Sequence, residues 1–259
     1  MKRFLLVLTV VSVLSVPSLL ASADVFGFGS GLTNLETVPV GDPGNAADTA
    51  LHSGNPAGQG SVAYTYNIGK YEVTAGQYCD FLNHVAATDT YGLYSEYMSL
   101  RADGCHIQRS GSSGSYAYSV ASDWANRPVN YVRFWNACRF ANWLHNGQPT
   151  GLQSLSTTED GAYFINGYDG WDGRTIQRNA GWQWAVTSED EWYKGAYYKG
   201  GGTEAGYWDY PTRSNTTPGR DMADPFGNNA NWYTGSGSFP IDSYHYTTVA
   251  GEFQNSASP

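Results

Sequence analysis

Apolar residues recur at helical spacing in two segments of the 259-residue chain. The first apolar stripe consists of Tyr78, Phe81, Leu82 and Val85. These positions follow the i, i+3, i+4, i+7 pattern of one buried helix face. Thr74 stands before the stripe and Gln77 follows three residues later, which is the spacing of a capping box. The pattern predicts an amphipathic helix that begins after Thr74.

A second stripe predicts another helix, from about Phe134 to His145. Its members are Ala137, Phe140, Ala141 and Leu144. Asn146 and Gly147 then supply a stop signal for this helix. A third helix is expected to begin at Ser188, because Glu191 completes another capping box.

The rest of the chain has the composition of short strands and loops. Residues 62–68 are β-branched and aromatic, which favours a strand, and shorter strands are expected at residues 207–211 and 228–232. Residues 89–130 lack strong periodicity and are expected to be irregular around the Ser/Gly-rich residues 110–115. Few helices among aromatic, Gly-rich loops predict an irregular, loop-rich α+β fold. No linker or repeat divides the sequence, so a single domain is expected.

The N-terminal residues 1–23 have the three parts of a secretory signal peptide. Residues 2–3 (Lys-Arg) are basic, residues 4–20 are mainly apolar, and residues 21–23 (Ala-Ser-Ala) form a cleavage site. An uncleaved anchor helix is the alternative, but the apolar run is short for a bilayer span and contains Ser and Thr. We expect an exported protein (secreted, periplasmic or on the cell surface) whose mature domain covers residues 24–259. No membrane span is expected after the signal is removed.

Composition narrows the class of protein further. The chain is 15% aromatic and only 14% charged, whereas disordered chains have few aromatic residues and more charge. The formal net charge is −9, and beyond the first few residues the lysines are Lys70, Lys194 and Lys199. A basic track for phosphates is therefore missing, and nucleic acid is not an expected partner.

Four segments occur in an order that matches a known family. The segments are Gly-Lys-Tyr-Glu-Val-Thr at residues 69–74 with Tyr78 and Phe81-Leu82, Arg-Pro-Val-Asn-Tyr-Val at residues 127–132 with Trp135, Ala137 and Trp143-Leu144, Thr-Ser-Glu-Asp-Glu-Trp at residues 187–192, and Ala-Asn-Trp at residues 230–232. They resemble motifs of the formylglycine-generating enzyme and sulfatase-modifying factor family. The resemblance spans residues 38–249 and implies that family's variant of the C-type-lectin fold. The chain differs from the family motifs at three places. Arg133 replaces the usual Ser, Asn136 replaces the motif Asp, and Ala185-Val186 stands where Leu-Pro is expected.

The resemblance also implies a chemistry whose residues are missing from the sequence. In the resembled enzymes two closely spaced thiolates bind Cu(I), and O₂ oxidises a substrate cysteine to formylglycine. The family's G-G-N-V-W-E-W and R-G-G-S-W segments and the following cysteine pair do not occur, so the domain is expected to be C-terminally incomplete or naturally truncated. Cys79, Cys105 and Cys138 lie 26 and 33 residues apart, unlike a close pair. No catalytic residue is assigned, copper is not expected, and enzymatic activity stays an open question.

The cysteines suggest a different role. Export permits disulfides, and an odd number of cysteines leaves one thiol without an internal partner. Cys79 lies off the first apolar stripe, and Cys105 lies within the long loop. A Cys79–Cys105 disulfide that tethers the loop is our hypothesis, and the state of Cys138 is open.

The resemblance implies a structural calcium site formed by Asn231, Trp232, Asp242 and Tyr244. Asn231 and Asp242 would bind through side-chain oxygens, and Trp232 and Tyr244 through backbone carbonyls, which suits a hard cation. An ordinary Asn/Asp turn cluster is the alternative. The family's second calcium site uses the missing N-V-W-E segment and is not expected. Residues 169–173 (Asp-Gly-Trp-Asp-Gly) lack EF-hand spacing and favour two turns.

Three functions are compatible with these observations. The complete form could be an oxidase of protein cysteine. Alternatively, the chain could be a non-catalytic extracellular binding module that contacts carbohydrate or protein through the aromatic-rich residues 91–118 and 163–184. The third possibility is a cell-surface structural protein, which would differ from the binding module by having a C-terminal anchor. The nucleotide sequence downstream of Pro259 separates these functions: a close cysteine pair supports the oxidase, and an anchor without the pair supports binding.

Overall fold

The computed structural model describes residues 10–12, 33–50, 57–170, 173–235 and 241–256. The chain divides into two compact units. Unit 1 comprises Met1–Thr37 and Gly69–Val186, and unit 2 comprises Val38–Ile68 and Thr187–Pro259.

The described residues form short strands and helices that are separated by loops. The strands are β1 (Val10–Ser12), β2 (Thr37–Val40), β3 (Tyr66–Gly69), β4 (Gln108–Ser110), β5 (Ala117–Ser119) and β6 (Trp184–Val186). The helices are α1 (Ala75–Val85), α2 (Tyr97–Leu100), α3 (Ser122–Ala125), α4 (Phe134–His145) and α5 (Glu189–Tyr197), followed by a 3₁₀ turn at Gly202–Glu204. This mixture of short elements and long loops confirms the α+β, loop-rich composition predicted from the sequence.

The predicted signal peptide lies mostly outside the described residues. Its described part is β1, which pairs antiparallel with β6 so that Val10 is opposite Val186 and Ser12 is opposite Trp184. No helix in the described ranges is long and apolar enough to cross a membrane.

Helix α1 confirms the first predicted helix and its cap. The Gln77 backbone N–H donates to Thr74 Oγ1 at 3.3 Å, and the Thr74 N–H donates to Gln77 Oε1 at 2.9 Å, which completes the capping box. The predicted stripe is buried, but Cys79 is also buried, with 6% of its surface exposed. Helix α1 packs against α4, α3 and β5, so it is covered on more sides than one stripe predicts.

Helix α4 has the predicted bounds and supplies much of the core of unit 1. It ends at His145 with Asn146 as its C-cap, and Gly147 follows with φ +80°, a conformation that glycine adopts easily. The aromatic core consists of Tyr78, Phe81, Phe140 and Trp143, whose neighbouring ring centroids lie 5.2–5.9 Å apart. Tilted and edge-on contacts at this distance are favourable for aromatic rings.

Polar side chains of α4 hold the irregular residues 150–168 in place. Asn142 Nδ2 donates to the carbonyl oxygens of Thr158 and Tyr163, both at 2.8 Å, and Asn142 Oδ1 accepts from the Tyr163 N–H. One turn earlier, Arg139 forms a bidentate ion pair with Glu159, and both side chains are almost fully buried. In a helix or strand, backbone groups bond to one another. Here, side chains of α4 supply the hydrogen bonds that hold the loop.

Residues 89–130 contain more structure than the sequence predicted. Besides α2 and α3, they form an antiparallel hairpin in which Gln108 pairs with Ser119 and Ser110 pairs with Ala117. The Ser/Gly-rich residues form its turn, where Gly111 and Gly114 have positive φ. Such a short hairpin carries too few alternating residues to produce a clear periodicity.

In unit 2, α5 is contacted by the segment that begins the unit. Ser188 and Glu191 form the predicted capping box, with hydrogen bonds of 2.7 and 3.2 Å. Tyr193 Oη donates to Asp48 Oδ2 at 2.7 Å, and Tyr66 Oη donates to the Glu191 carbonyl at 2.5 Å. Phenol groups therefore hold this segment against the helix.

The strands predicted in unit 2 are shorter than expected. Of the predicted strand at residues 62–68, only its end forms β3. The expected strands at residues 207–211 and 228–232 are replaced by isolated bridges, such as Tyr210 with Ser214 and Gly219 with Asn229. A strand needs a partner over several residues, and the aromatic composition of these segments alone does not supply one.

Candidate functional site

A tight turn centred on Asp242 forms the core of the predicted calcium site in unit 2. The backbone N–H groups of Tyr244 and His245 both donate to Asp242 Oδ1 at 3.0 Å. The Tyr246 N–H donates to the Asp242 carbonyl at 2.8 Å. This is the side-chain-to-backbone turn that Asp favours, and it fixes the carboxylate at the centre of the loop.

Asn231 reaches both ends of this turn. Its Nδ2 donates to the Tyr246 carbonyl at 3.2 Å, and its Oδ1 accepts from the Ile241 N–H at 3.4 Å. The structure therefore brings Asn231 and the Asp242 turn together, although the two residues are 11 positions apart.

The side chains of Trp232 and Tyr244 lie away from this contact. The Trp232 indole donates to the Pro218 carbonyl at 3.1 Å and is 37% exposed, and Tyr244 is 69% exposed. The resemblance assigned these residues to a cation through their carbonyl oxygens.

His245 was not expected at this site from the sequence. Its Nδ1 lies 2.6 Å from Asp242 Oδ2, and its ring contacts the Tyr244 ring edge-on at 4.6 Å between centroids. The i, i+3 spacing of Asp242 and His245 was the signal for this contact. An imidazole in this position competes with a cation for the same carboxylate oxygen.

The surroundings of Asp242 favour its ionised form. Burial opposes ionisation, but the donated N–H of His245, the His245 imidazole and the N–H of Tyr244 outweigh it and keep the pKa of Asp242 below its ordinary value. The carboxylate is therefore charged at neutral pH. No group of three or more His, Cys, Asp or Glu side chains in the described parts of the chain is arranged to hold a metal. A cation here would need the Asn231 amide and backbone carbonyls as additional ligands.

The three cysteines lie in unit 1 and are free and buried. Asn83 Nδ2 lies 3.7 Å from the Cys79 sulfur, and the Cys105 sulfur lies 4.0 Å from the Asn130 carbonyl. The structure therefore contains no Cys79–Cys105 disulfide, and that pairing stays a prediction for thiol titration of the unfolded, unreduced protein.

Burial makes these thiols hard to ionise. Burial, together with the nearby Asp80 carboxylate, raises the pKa of Cys79 to about 12. Burial also raises the pKa of Cys138 to about 12, although Arg139 opposes it, and it raises the pKa of Cys105. Thiols of this kind are neutral at physiological pH and are poor soft-metal ligands.

The segment at residues 169–173, for which two turns were expected, contacts the rest of unit 1 through its first two residues. Asp169 pairs with Arg133 at 3.2 Å, and the Gly170 carbonyl accepts from the Trp135 indole at 2.7 Å. Residues 171–172 lie outside the described ranges. These contacts tie the loop to the start of α4.

Comparison with known families gives one match. Residues 32–258 match the profile of the sulfatase-modifying factor enzyme 1-like domain. The match includes all four segments on which the sequence resemblance depends. No curated protein and no solved structure matches the chain.

Proposed function

Because the chain belongs to the sulfatase-modifying factor enzyme 1-like family, we propose that it is an exported domain with the family's C-type-lectin-like fold that does not itself oxidise cysteine. The observation that supports this proposal is the state of the three thiols, which are free and buried and lie 26 and 33 residues apart in the sequence. The signal-peptide pattern at residues 1–23 supports export.

The absence of cysteine oxidation is proposed because Cu(I) binding requires two ionised thiols close to one ion. Cu(I) in the resembled enzymes is bound by two thiolates that approach one ion, and a thiolate is available only when the thiol pKa is near or below ambient pH. The raised pKa values of Cys79, Cys105 and Cys138 keep their sulfurs protonated. Exposing them would disrupt the packed core around α1 and α4.

A copper titration with oxygen measurement tests this proposal. Purified protein covering residues 24–259 would be titrated with Cu(I) under a competing chelator and then supplied with a thiol peptide and O₂. We expect no stoichiometric copper binding and no oxygen uptake above that of the Cys138→Ala variant. Tight binding of a single cuprous ion with formation of a peptide aldehyde would overturn the proposal.

We also propose that the domain is stabilised by one Ca²⁺ ion at the Asp242 turn. The contact of Asn231 with both ends of this turn supports the proposal, because it holds the Asn231 amide against the turn that contains the ionised Asp242 carboxylate. The carbonyls of Trp232 and Tyr244 would complete an oxygen ligand set. The His245 imidazole would give up its contact with Asp242 when the ion binds.

Thermal unfolding with and without chelator tests the calcium proposal. We expect EGTA to lower the Tm and added Ca²⁺ to restore it, because an ion that binds only the folded state stabilises that state. Asp242→Asn should abolish the response. Asp221→Asn is the matched control, since Asp221 is an exposed residue of the same unit whose Oδ1 accepts the Ala223 N–H. A wild-type Tm that is unchanged by chelator would contradict the proposal.

Exposed aromatic side chains favour a binding module as the second candidate function. Within the two aromatic-rich segments, Tyr97, Phe164 and Tyr168 are 50–59% exposed, whereas Tyr118 and Tyr163 are buried in the core. Any carbohydrate or protein partner would therefore contact the first three. Retention on immobilised glycans that is lost in Tyr97→Ala would support carbohydrate binding, and unchanged retention in that variant would argue against a role for Tyr97.

A further inference from the structure

Two buried polar atoms, on side chains three residues apart in one helix of unit 1, have no hydrogen-bond partner among the described residues. They are Asn136 Oδ1 and Arg139 Nη1. Both residues belong to α4, and their exposed fractions are 2% and 0%. Residues three apart on a helix lie on the same face, so their side chains are neighbours.

The other atoms of these two side chains show where the unpartnered atoms lie. Asn136 Nδ2 donates to the Gly92 carbonyl at 2.8 Å. The Arg139 guanidinium carbon lies 4.6 Å from the centre of the Tyr91 ring. The two side chains therefore contact consecutive residues of one loop, so both lie at the same corner between that loop and α4.

The remaining donors of Arg139 are already used. Its Nε and Nη2 bind the two carboxylate oxygens of Glu159 at 2.7 and 3.0 Å, and Nη2 also donates to the Tyr168 carbonyl at 3.1 Å. The charge of the guanidinium is thus balanced by Glu159. Only Nη1 remains to be satisfied, and a second anion is not needed for that.

A flip of the Asn136 amide would not satisfy these atoms. It would place Oδ1 against the Gly92 carbonyl and turn Nδ2 toward the guanidinium, so that acceptor would face acceptor and donor would face donor. The present orientation is the one that the Gly92 contact requires.

We propose that this corner is the binding site of a single buried water molecule that bridges Arg139 Nη1 and Asn136 Oδ1. A water oxygen accepts from the guanidinium N–H, and a water hydrogen is donated to the amide oxygen, so one neutral molecule supplies both missing partners. Waters of this kind satisfy buried polar groups that the chain cannot pair directly. The water links two side chains of α4 at the place where they contact the loop at Gly92 and Tyr91.

A high-resolution crystal structure of the wild-type protein tests the proposal directly. We expect one well-ordered water within hydrogen-bond distance of both atoms. An empty corner, or a direct hydrogen bond between Asn136 and Arg139, would overturn the proposal, and neither result depends on a variant that folds.

Two leucine variants separate the water from the general cost of removing a buried amide. Asn136→Leu removes the acceptor and should expel the water. Asn142→Leu is the matched control, because its amide lies in the same helix, is equally buried and is bonded to protein atoms at both ends. Both should lower the Tm, but the water should persist in Asn142→Leu. Persistence of the water in Asn136→Leu would contradict the bridging role.

Discussion

The ion pair between Arg139 and Glu159 joins a helix to residues that have no regular secondary structure. Glu159 also accepts from the Thr158 hydroxyl and the Gly167 N–H, both at 2.8 Å. The carboxylate therefore accepts four hydrogen bonds and is almost fully buried. Removing one partner of such a pair leaves an uncompensated buried charge.

We predict that Glu159→Gln destabilises the protein by about 3–5 kcal/mol, the usual cost of breaking a buried ion pair from one side. Urea unfolding followed by tryptophan fluorescence measures the change. The exposed pair of Arg133 and Asp169 is the control, and Asp169→Asn should cost less than about 1 kcal/mol. Equal costs for the two variants would show that burial does not determine the strength of the Arg139 contact.

The role of Arg139 could not be predicted from the sequence. An arginine in an amphipathic helix is expected to face solvent, and complete burial of the residue is rare. Its partner Glu159 lies 20 residues away in a loop without periodicity. Local patterns carry no information about such a contact.

Helix α5 begins at a cap whose two side chains have separate roles. Ser188 accepts the Glu191 N–H, and the Glu191 carboxylate accepts both the Ser188 N–H and the Tyr64 hydroxyl, the latter at 2.5 Å. The cap therefore connects the helix start to the loop that precedes β3.

We predict that Ser188→Ala destabilises the protein by about 1 kcal/mol, because one N–H of the first turn loses its acceptor. Ser188→Asn retains an acceptor and should change the stability little. Chemical denaturation of both variants measures the difference. An equally large loss in Ser188→Asn would mean that the hydroxyl is needed for something other than capping.

The elements that could be predicted are those whose signals are local. Thr74 with Gln77 and Ser188 with Glu191 mark helix starts within a few residues, and all four side chains form the predicted bonds. The β4–β5 hairpin and the interrupted strands of unit 2 could not be predicted, because strand formation depends on partners elsewhere in the chain. The burial of Cys79, which lies off the predicted stripe, could not be predicted, because one apolar stripe does not show how many neighbours cover a helix.

At the scale of the whole molecule, phenol groups with raised pKa values contribute to the response to alkaline pH. Burial raises the pKa of Tyr163 to about 12, and burial together with nearby phenol and carboxylate groups raises that of Tyr207 to about 12. The hydrogen bond to Asp42, followed by burial, raises the pKa of Tyr198 to about 12. In the unfolded chain the same groups ionise near their ordinary pKa of about 10.

We predict that the free energy of unfolding falls as the pH rises from about 10 to about 12. In this range the unfolded state loses phenol protons that the folded state retains, so alkaline pH favours unfolding. The stabilisation that these protonated phenols give to the folded state is fully present below about pH 10. Urea unfolding at a series of pH values, with phenolate absorbance as a second signal, measures it. A constant free energy of unfolding across this range would contradict the raised pKa values.

The calcium site stays a prediction, and the structure shows only how two of its residues are arranged. Asn231 and Asp242 do come together around one turn, but His245, which contacts the same carboxylate, was not identified from the sequence. The resemblance supplied residues that bind through oxygen, and it contained no information about a neighbouring imidazole. Asp242 is therefore held in place by the protein itself, independently of any ion.

The burial of all three cysteines has a practical consequence for work on this protein. Ser113 is exposed at the tip of the β4–β5 hairpin, whereas the native sulfurs are enclosed and protonated. A cysteine introduced at Ser113 would be the one that a maleimide dye labels at neutral pH in the folded state. The domain can therefore carry a single fluorophore, or be attached to a sensor chip in one orientation, without removal of its own cysteines.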